Sequence, residues 1–167
     1  MADPYDRSAR VLDPTYVDDL DSNSIDQLRV KHAECVELET EVSYVRRIAQ
    51  ARIDIVDAEL SRRARGGSLE DLIESLPQIL ADPGPRGDPA SSRLPMQLAP
   101  EQESEWAPRL AEVEGVLTDL PGLSEGQLHE ALEHLRVLER EVSDQRRSLF
   151  AVIDHIDLQL AERLRAD

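Results

Sequence analysis

Five polar residues in the first third of the chain recur at helical spacing, namely Glu39, Ser43, Arg46, Gln50 and Asp54. At about 100° per residue, their offsets of 0, 4, 7, 11 and 15 place all five side chains on one narrow strip of a helix. One hundred positions later the pattern returns as Glu139, Ser143, Arg146 and Asp154, with Phe150 in the position of the glutamine.

These residue types could recognise a planar anion. An arginine fork can donate to a phosphate or to the O6/N7 edge of guanine, and its flat face can stack on a base. A carboxylate can accept from the N1 and N2 hydrogens of guanine, while serine and glutamine add adaptable hydrogen bonds. Without an anion, Arg46, Arg47, Arg146 and Arg147 would concentrate positive charge midway along the two segments. A guanine nucleotide therefore matches the two strips.

The same residue types also fit a solvated helix face. Contacts from Arg46 to Gln50 and from Gln50 to Asp54 would then contribute only roughly 0.2–0.5 kcal/mol each. Residues 38–57 and 138–157, however, agree at eleven of twenty positions, where average residue usage would give about one or two. Such weak surface pairs do not require the same residues at the same register twice, so the repeat favours a binding role.

Capping boxes begin both segments that must position the strips: Ser24 precedes Gln27, and Ser124 precedes Gln127, by three residues. No proline or glycine interrupts the first segment before residues 66–67. Apolar residues in both segments are mostly three, four or seven apart, which is typical of a coiled-coil seam. They are Leu28, Cys35, Leu38, Val42, Val45, Ala49, Val56 and Leu60 in the first segment, and Leu128, Leu135, Leu138, Val142, Leu149, Ile153, Ile156 and Leu160 in the second.

The predicted fold class is all-α, with two long helices in an antiparallel coiled-coil hairpin. Residues 1–23 are predicted to be a mostly flexible leader, although "VLDPTYVDDL" carries enough apolar residues to dock. The long helices span residues 24–66 and 124–167, and a linker with short accessory helices spans residues 67–123. Within the linker, "SLEDLIESLPQIL" predicts a short helix broken near Pro77, and "DPGPRGDPASSRLP" is typical of flexible chain. A second short helix, with Pro108 near its start, is predicted from Trp106 onward.

Composition limits the function classes. A net charge of −16 would repel a phosphate backbone over most of the surface, so direct nucleic-acid binding is not expected. The same charge favours a basic protein partner, or else it only keeps the chain in solution. No stretch approaches 18 apolar residues, no signal segment begins the chain, and Cys35 is the single cysteine. We therefore expect no membrane association, no metal site and a reducing cytoplasm.

The doubled strip resembles the RsiG family of actinobacterial anti-sigma factors. That family carries E-x-x-x-S-x-x-R-x-x-x-Q-x-x-x-D once on each helix of an antiparallel coiled coil; the first strip matches in full and the second at all but one position. The resemblance implies that two molecules of cyclic di-GMP bind between the helices, and that the loaded protein sequesters a WhiG-type sporulation sigma factor and represses transcription. It also implies that the arginines and aspartates hold guanine edges and phosphates, with the glutamates and serines supporting them. Phe150 departs from the pattern and could stack on a base or pack aside.

Two other interpretations belong to different classes. In the first, the chain is a ligand-free structural coiled coil, whose repeat records the duplication of a helix and whose polar rows set register or bind another protein. The second, an enzyme, is not expected. No phosphate-binding glycine loop is present, and the four histidines form no nucleophile–base set: they are His32, His129, His134 and His155.

Overall fold

The computed structural model describes residues 4–81 and 106–166, and every regular element within these residues is helical. No helix in this part of the chain is both long and apolar enough to cross a membrane. The elements are α1 (Pro4–Val11), α2 (Thr15–Asp18), a 3-10 turn (Leu20–Ser22), α3 (Ile25–Arg65), α4 (Leu69–Ile79), α5 (Ala107–Thr118), a second 3-10 turn (Leu120–Gly122) and α6 (Glu125–Ala166).

Both long helices begin at the predicted capping boxes. The backbone N–H of Gln27 donates to Ser24 Oγ at 3.3 Å, and the N–H of Ser24 donates to Gln27 Oε1 at 2.8 Å. Ser124 and Gln127 make the same two bonds at 3.3 and 2.9 Å. At the other end of α3, Gly66 has a φ of 68°, a left-handed conformation that glycine adopts without a Cβ clash. Local signals in the sequence thus determine where these helices begin and where α3 ends.

The described residues divide into two units, each of which contains part of both long helices. Unit one holds residues 4–44, 106–107 and 142–166. In it the first half of α3 lies antiparallel to the second half of α6, because residue 32 contacts residue 157 while residue 39 contacts residue 146: His32 Nε2 is 3.2 Å from Asp157 Oδ1, and Glu39 Oε1 is 3.0 Å from Arg146 Nε. Its core consists mainly of the predicted seam residues, and Leu28, Cys35, Leu38, Val42, Val142, Leu149, Ile153 and Ile156 are all buried.

Unit two holds residues 45–81 and 108–141. The second half of α3 lies antiparallel to the first half of α6, and Arg136 Nη2 is 3.5 Å from Asp57 Oδ2. The buried core residues of this pair are Val45, Ala49, Ile53, Val56, Leu128, Leu132, Leu135 and Leu138. The predicted fold class, an all-α antiparallel helical hairpin, is therefore confirmed for the described chain.

The leader differs from its prediction. Residues 4–22 form α1, α2 and a 3-10 turn, and Val11 and Leu20 are buried. Tyr16 donates from its hydroxyl to Glu34 Oε2 at 3.0 Å, and Lys31 Nζ donates to the backbone carbonyl of Tyr16 at 2.9 Å. The prolines and aspartates predicted flexible chain, but these tertiary contacts order the segment.

The accessory helices show one further difference. Helix α4 runs to Ile79, two residues beyond the predicted break at Pro77. Proline removes one backbone donor, but hydrogen bonding continues beyond it, since the N–H of Leu80 donates to the carbonyl of Leu76 at 2.9 Å and the N–H of Ala81 to the carbonyl of Pro77 at 3.0 Å. Helix α5 contains Pro108 in its first turn, as the sequence predicts. The predicted flexible stretch at residues 82–95 lies outside the described residues.

Candidate functional site

In unit one, an arginine of α6 is bound by two residues of α3. Arg146 Nε donates to Ser43 Oγ at 2.8 Å and lies 3.0 Å from Glu39 Oε1. Ser43 Oγ in turn donates to Glu39 Oε1 at 2.5 Å, and the serine is only 7% exposed. We call Glu39, Ser43 and Arg146, with Phe150 and Asp154 farther along α6, the unit-one cluster.

With the described residues, the Arg146 side chain forms its hydrogen bonds through Nε. Within the described residues, no group accepts a hydrogen bond from either terminal nitrogen of this guanidinium. The side chain is 38% exposed, so solvent or a ligand can reach it. The protein therefore fixes one edge of the guanidinium and leaves the terminal nitrogens able to donate to a phosphate or to the O6/N7 edge of guanine.

Phe150 contacts the same arginine. Arg146 Cζ lies 4.6 Å from the centroid of the Phe150 ring, within the range of a cation–π interaction. Phe150 as a whole residue is 39% exposed. The residue that departs from the repeated pattern therefore packs against its own arginine, while part of its surface still faces solvent.

In unit two the helices exchange roles. Arg46 Nε of α3 lies 3.4 Å from Glu139 Oε1 of α6. Gln50 Nε2 donates to Asp54 Oδ1 at 3.1 Å, which fixes the orientation of that carboxylate along α3. We call Arg46, Gln50, Asp54 and Glu139 the unit-two cluster. Each unit thus pairs the arginine of one strip with the glutamate of the other.

Seven of the nine predicted site residues take part in the contacts described above, three of them in unit one and four in unit two. The other two, Ser143 and Asp154, both lie on the part of α6 in unit one. Ser143 is half-buried. Asp154 is exposed, and no side chain in the described chain hydrogen-bonds its carboxylate. The two aspartates therefore differ, since Asp54 is oriented by a glutamine and Asp154 is not.

Sequence reasoning missed two further arginines at the same hundred-residue offset. Arg163 Nη1 donates to the carbonyl of Asn23 at 2.8 Å, just before α3 begins. Arg63 Nη1 donates to the carbonyl of Leu123 at 2.6 Å, just before α6 begins. Each arginine lies near the end of one long helix and hydrogen-bonds the turn that precedes the other long helix. The sequence signal was available, because residues 63 and 163 are both arginine just beyond the aligned segments.

Among the described residues, Arg63 but not Arg163 has a buried counter-ion. Glu59 is fully buried and accepts from Arg63 Nε at 2.6 Å and from Arg62 at 2.6 and 2.7 Å. Hydrogen bonds from Arg62 and Arg63 lower the pKa of the Glu59 carboxyl, and burial opposes them in part. The corresponding residue of the second copy is Gln159, so this charged group is specific to unit two.

Comparison with known proteins agrees with the first strip. A family model described as RsiG-like matches residues 14–80. This segment includes all of α3 and therefore Glu39, Ser43, Arg46, Gln50 and Asp54. No curated protein matches the chain. Over residues 14–80, less than half of the chain, the protein is therefore similar to the RsiG-like family.

Proposed function

From the match of residues 14–80 to the RsiG-like family, we propose that the chain is an anti-sigma factor that binds cyclic di-GMP and then sequesters a WhiG-type sporulation sigma factor. The family suggests the anti-sigma role and a sigma factor as the kind of partner. The identity of the ligand and of the sporulation sigma factor is proposed in addition, from the resemblance of the two strips to the motif of that family. In this proposal the chain represses transcription and carries out no reaction on its ligand.

The observation that carries the ligand proposal is the state of Arg146. Its Nε is bound by Ser43 and Glu39, while its terminal nitrogens have no acceptor among the described residues. Cyclic di-GMP offers two phosphates and two guanine bases, and an anchored guanidinium can bind either group without first being ordered. Because each unit contains one such arginine–glutamate pair, we propose that one molecule binds each cluster, which gives two per chain.

The net charge suggests how the partner is captured. A chain with a net charge of −16 attracts basic surfaces, and a bound dinucleotide adds further negative charge next to the arginines. The ligand also contacts side chains from both helices and stabilises their register. Ligand and partner must then strengthen each other's binding by the same factor, because coupling between two sites is reciprocal.

Co-elution tests this proposal directly. The purified chain and a purified WhiG-type sigma factor are passed over a size-exclusion column with and without cyclic di-GMP at micromolar concentration. A joint peak that requires the dinucleotide is the expected result. Equal co-elution without the ligand would contradict gating, and no co-elution in either condition would contradict capture of this sigma factor.

A second candidate function is a ligand-free structural coiled coil. The observation in its favour is that the Arg146–Glu39 and Arg46–Glu139 pairs are already formed within the protein. Such cross-helix charge pairs can set helix register without any ligand. Isothermal titration calorimetry with cyclic di-GMP, alone and with the sigma factor, separates the two functions, because the structural coiled coil would release no heat of binding.

A further inference from the structure

The two clusters differ at the position of the repeated glutamine. Gln50 occupies it in unit two and Phe150 in unit one. The two side chains make different contacts with the residues around them. Their difference therefore changes which part of each cluster is ordered before a ligand binds.

In unit two the glutamine orders a carboxylate. Gln50 Nε2 donates to Asp54 Oδ1 at 3.1 Å. A carboxylate that accepts from the N1 and N2 hydrogens of guanine must present its two oxygens to the base edge, and adenine has no such pair of donors. A carboxylate already held by Gln50 loses less conformational entropy on binding guanine. This arrangement favours guanine over adenine.

In unit one the phenylalanine orders an arginine instead. A benzyl side chain has no donor for a carboxylate, and Asp154 has no hydrogen-bond partner among the described residues. The Phe150 ring lies 4.6 Å from Arg146 Cζ, and Nε of this arginine is held by Ser43 and Glu39. An ordered guanidinium binds phosphate and stacks on any purine, since every base has a π-face.

We propose that Phe150 makes the unit-one cluster less selective for guanine than the unit-two cluster, so that unit one also accepts an adenine base of a cyclic dinucleotide. This inference rests on the proposed function, because both clusters must first bind such a ligand. The ligand class that distinguishes the clusters is a mixed cyclic dinucleotide with one guanine and one adenine. Loss of one oriented hydrogen-bonding group corresponds to a difference of about fivefold in relative affinity.

The test compares two ligands on four proteins by calorimetry. The ligands are cyclic di-GMP and 3′,3′-cyclic GMP–AMP, and the proteins are the natural chain, Phe150→Gln, Gln50→Phe and the control Leu158→Gln. Leu158 is an exposed apolar residue on the same helix, outside the cluster. We expect Phe150→Gln to weaken binding of the mixed dinucleotide about fivefold relative to cyclic di-GMP. Gln50→Phe should shift the ratio in the opposite direction, and Leu158→Gln should leave it unchanged.

The outcomes separate this inference from the proposed function. If the natural chain binds cyclic di-GMP but the ratio is the same in both swap variants, the role of Phe150 is wrong and the proposed function stands. If the natural chain binds neither dinucleotide, the proposed function fails, and this inference fails with it. Circular dichroism establishes that each variant is helical. Phe150→Gln and Gln50→Phe are reciprocal changes. If one of these variants does not fold, the affinity ratio of the other variant still tests the inference.

Discussion

Arg146 of α6 is bound by Glu39 of α3, with 3.0 Å between Nε and Oε1. Arg46 and Glu139 form the same pair with the helices exchanged, at 3.4 Å. In both pairs the glutamate of one copy therefore binds the arginine of the other copy. This exchange gives a physical reason for keeping both residue types at the same register in both copies. Replacing the glutamate or the arginine of one copy would remove this ion-pair partner from the charge on the opposite helix.

Replacing both cluster arginines should abolish ligand-dependent capture. In the double variant Arg46→Ala and Arg146→Ala, neither cluster has a guanidinium to bind phosphate or a guanine edge. We expect no ligand-dependent co-elution with the sigma factor at micromolar cyclic di-GMP. The far-ultraviolet circular dichroism spectrum should remain that of a helical protein, since the buried seam is unchanged.

Arg147→Ala is the matched control for this experiment. Arg147 is adjacent to Arg146 but is exposed and pairs with Asp144 on its own helix, at 3.0 Å. The control removes one positive charge next to Arg146 without touching a cluster, so capture should persist. Ligand-dependent capture that survived in the double variant would show that the clusters do not hold the ligand.

Cyclic di-GMP should raise the free energy of unfolding. A ligand that binds only the folded state at about 100 times its Kd adds about 2.7 kcal/mol per site. Urea titrations of the chain alone and with the dinucleotide measure this difference, and the Arg46→Ala and Arg146→Ala double variant serves as the reference. Equal urea midpoints with and without ligand in the natural chain would support the ligand-free coiled coil.

The sequence predicts those parts of the fold that depend on local signals. The capping serines Ser24 and Ser124 and the seam spacing locate both long helices, because each signal lies within a few residues. Which glutamate meets which arginine depends on helix register, and strip geometry on a single helix does not contain that information. The sequence also indicates that "VLDPTYVDDL" can dock, but not where, since the residue that Tyr16 contacts, Glu34, lies on a separate helix.

The two end arginines should differ in their contribution to stability. Arg163→Ala removes hydrogen bonds to the backbone carbonyls of Asp21 and Asn23, worth about 1.5–3 kcal/mol each when the donor is charged. Arg63→Ala removes similar bonds and also one of the two arginines that donate to the buried Glu59, so its loss of stability should be the larger one.

Urea unfolding of both end-arginine variants tests this order. Arg63→Ala should have the lower midpoint, because it leaves a buried carboxylate with fewer donors. Arg65→Ala, an exposed arginine near the end of the same helix, is the control and should unfold like the natural chain. Equal midpoints for Arg63→Ala and Arg163→Ala would show that the pairing with Glu59 adds nothing to the backbone contacts.

Glu59 should make stability depend on pH on the acid side. Hydrogen bonds from Arg62 and Arg63 lower the pKa of its carboxyl below the ordinary value of 4.5. The unfolded chain therefore takes up the proton first as pH falls, and the stabilisation that is complete at neutral pH is lost between 4.5 and the lowered folded-state pKa. In Glu59→Gln this loss is absent, so its free energy of unfolding should be lower at pH 7 but should fall less steeply below pH 4.5.

Urea titrations from pH 7 to pH 3 measure the free energy of unfolding of both proteins. Glu133→Gln, which replaces an exposed glutamate, is the control and should keep the natural dependence on pH. If the free energy of unfolding falls equally steeply with pH in Glu59→Gln and in the natural chain, the buried carboxylate does not cause the loss of stability at acid pH.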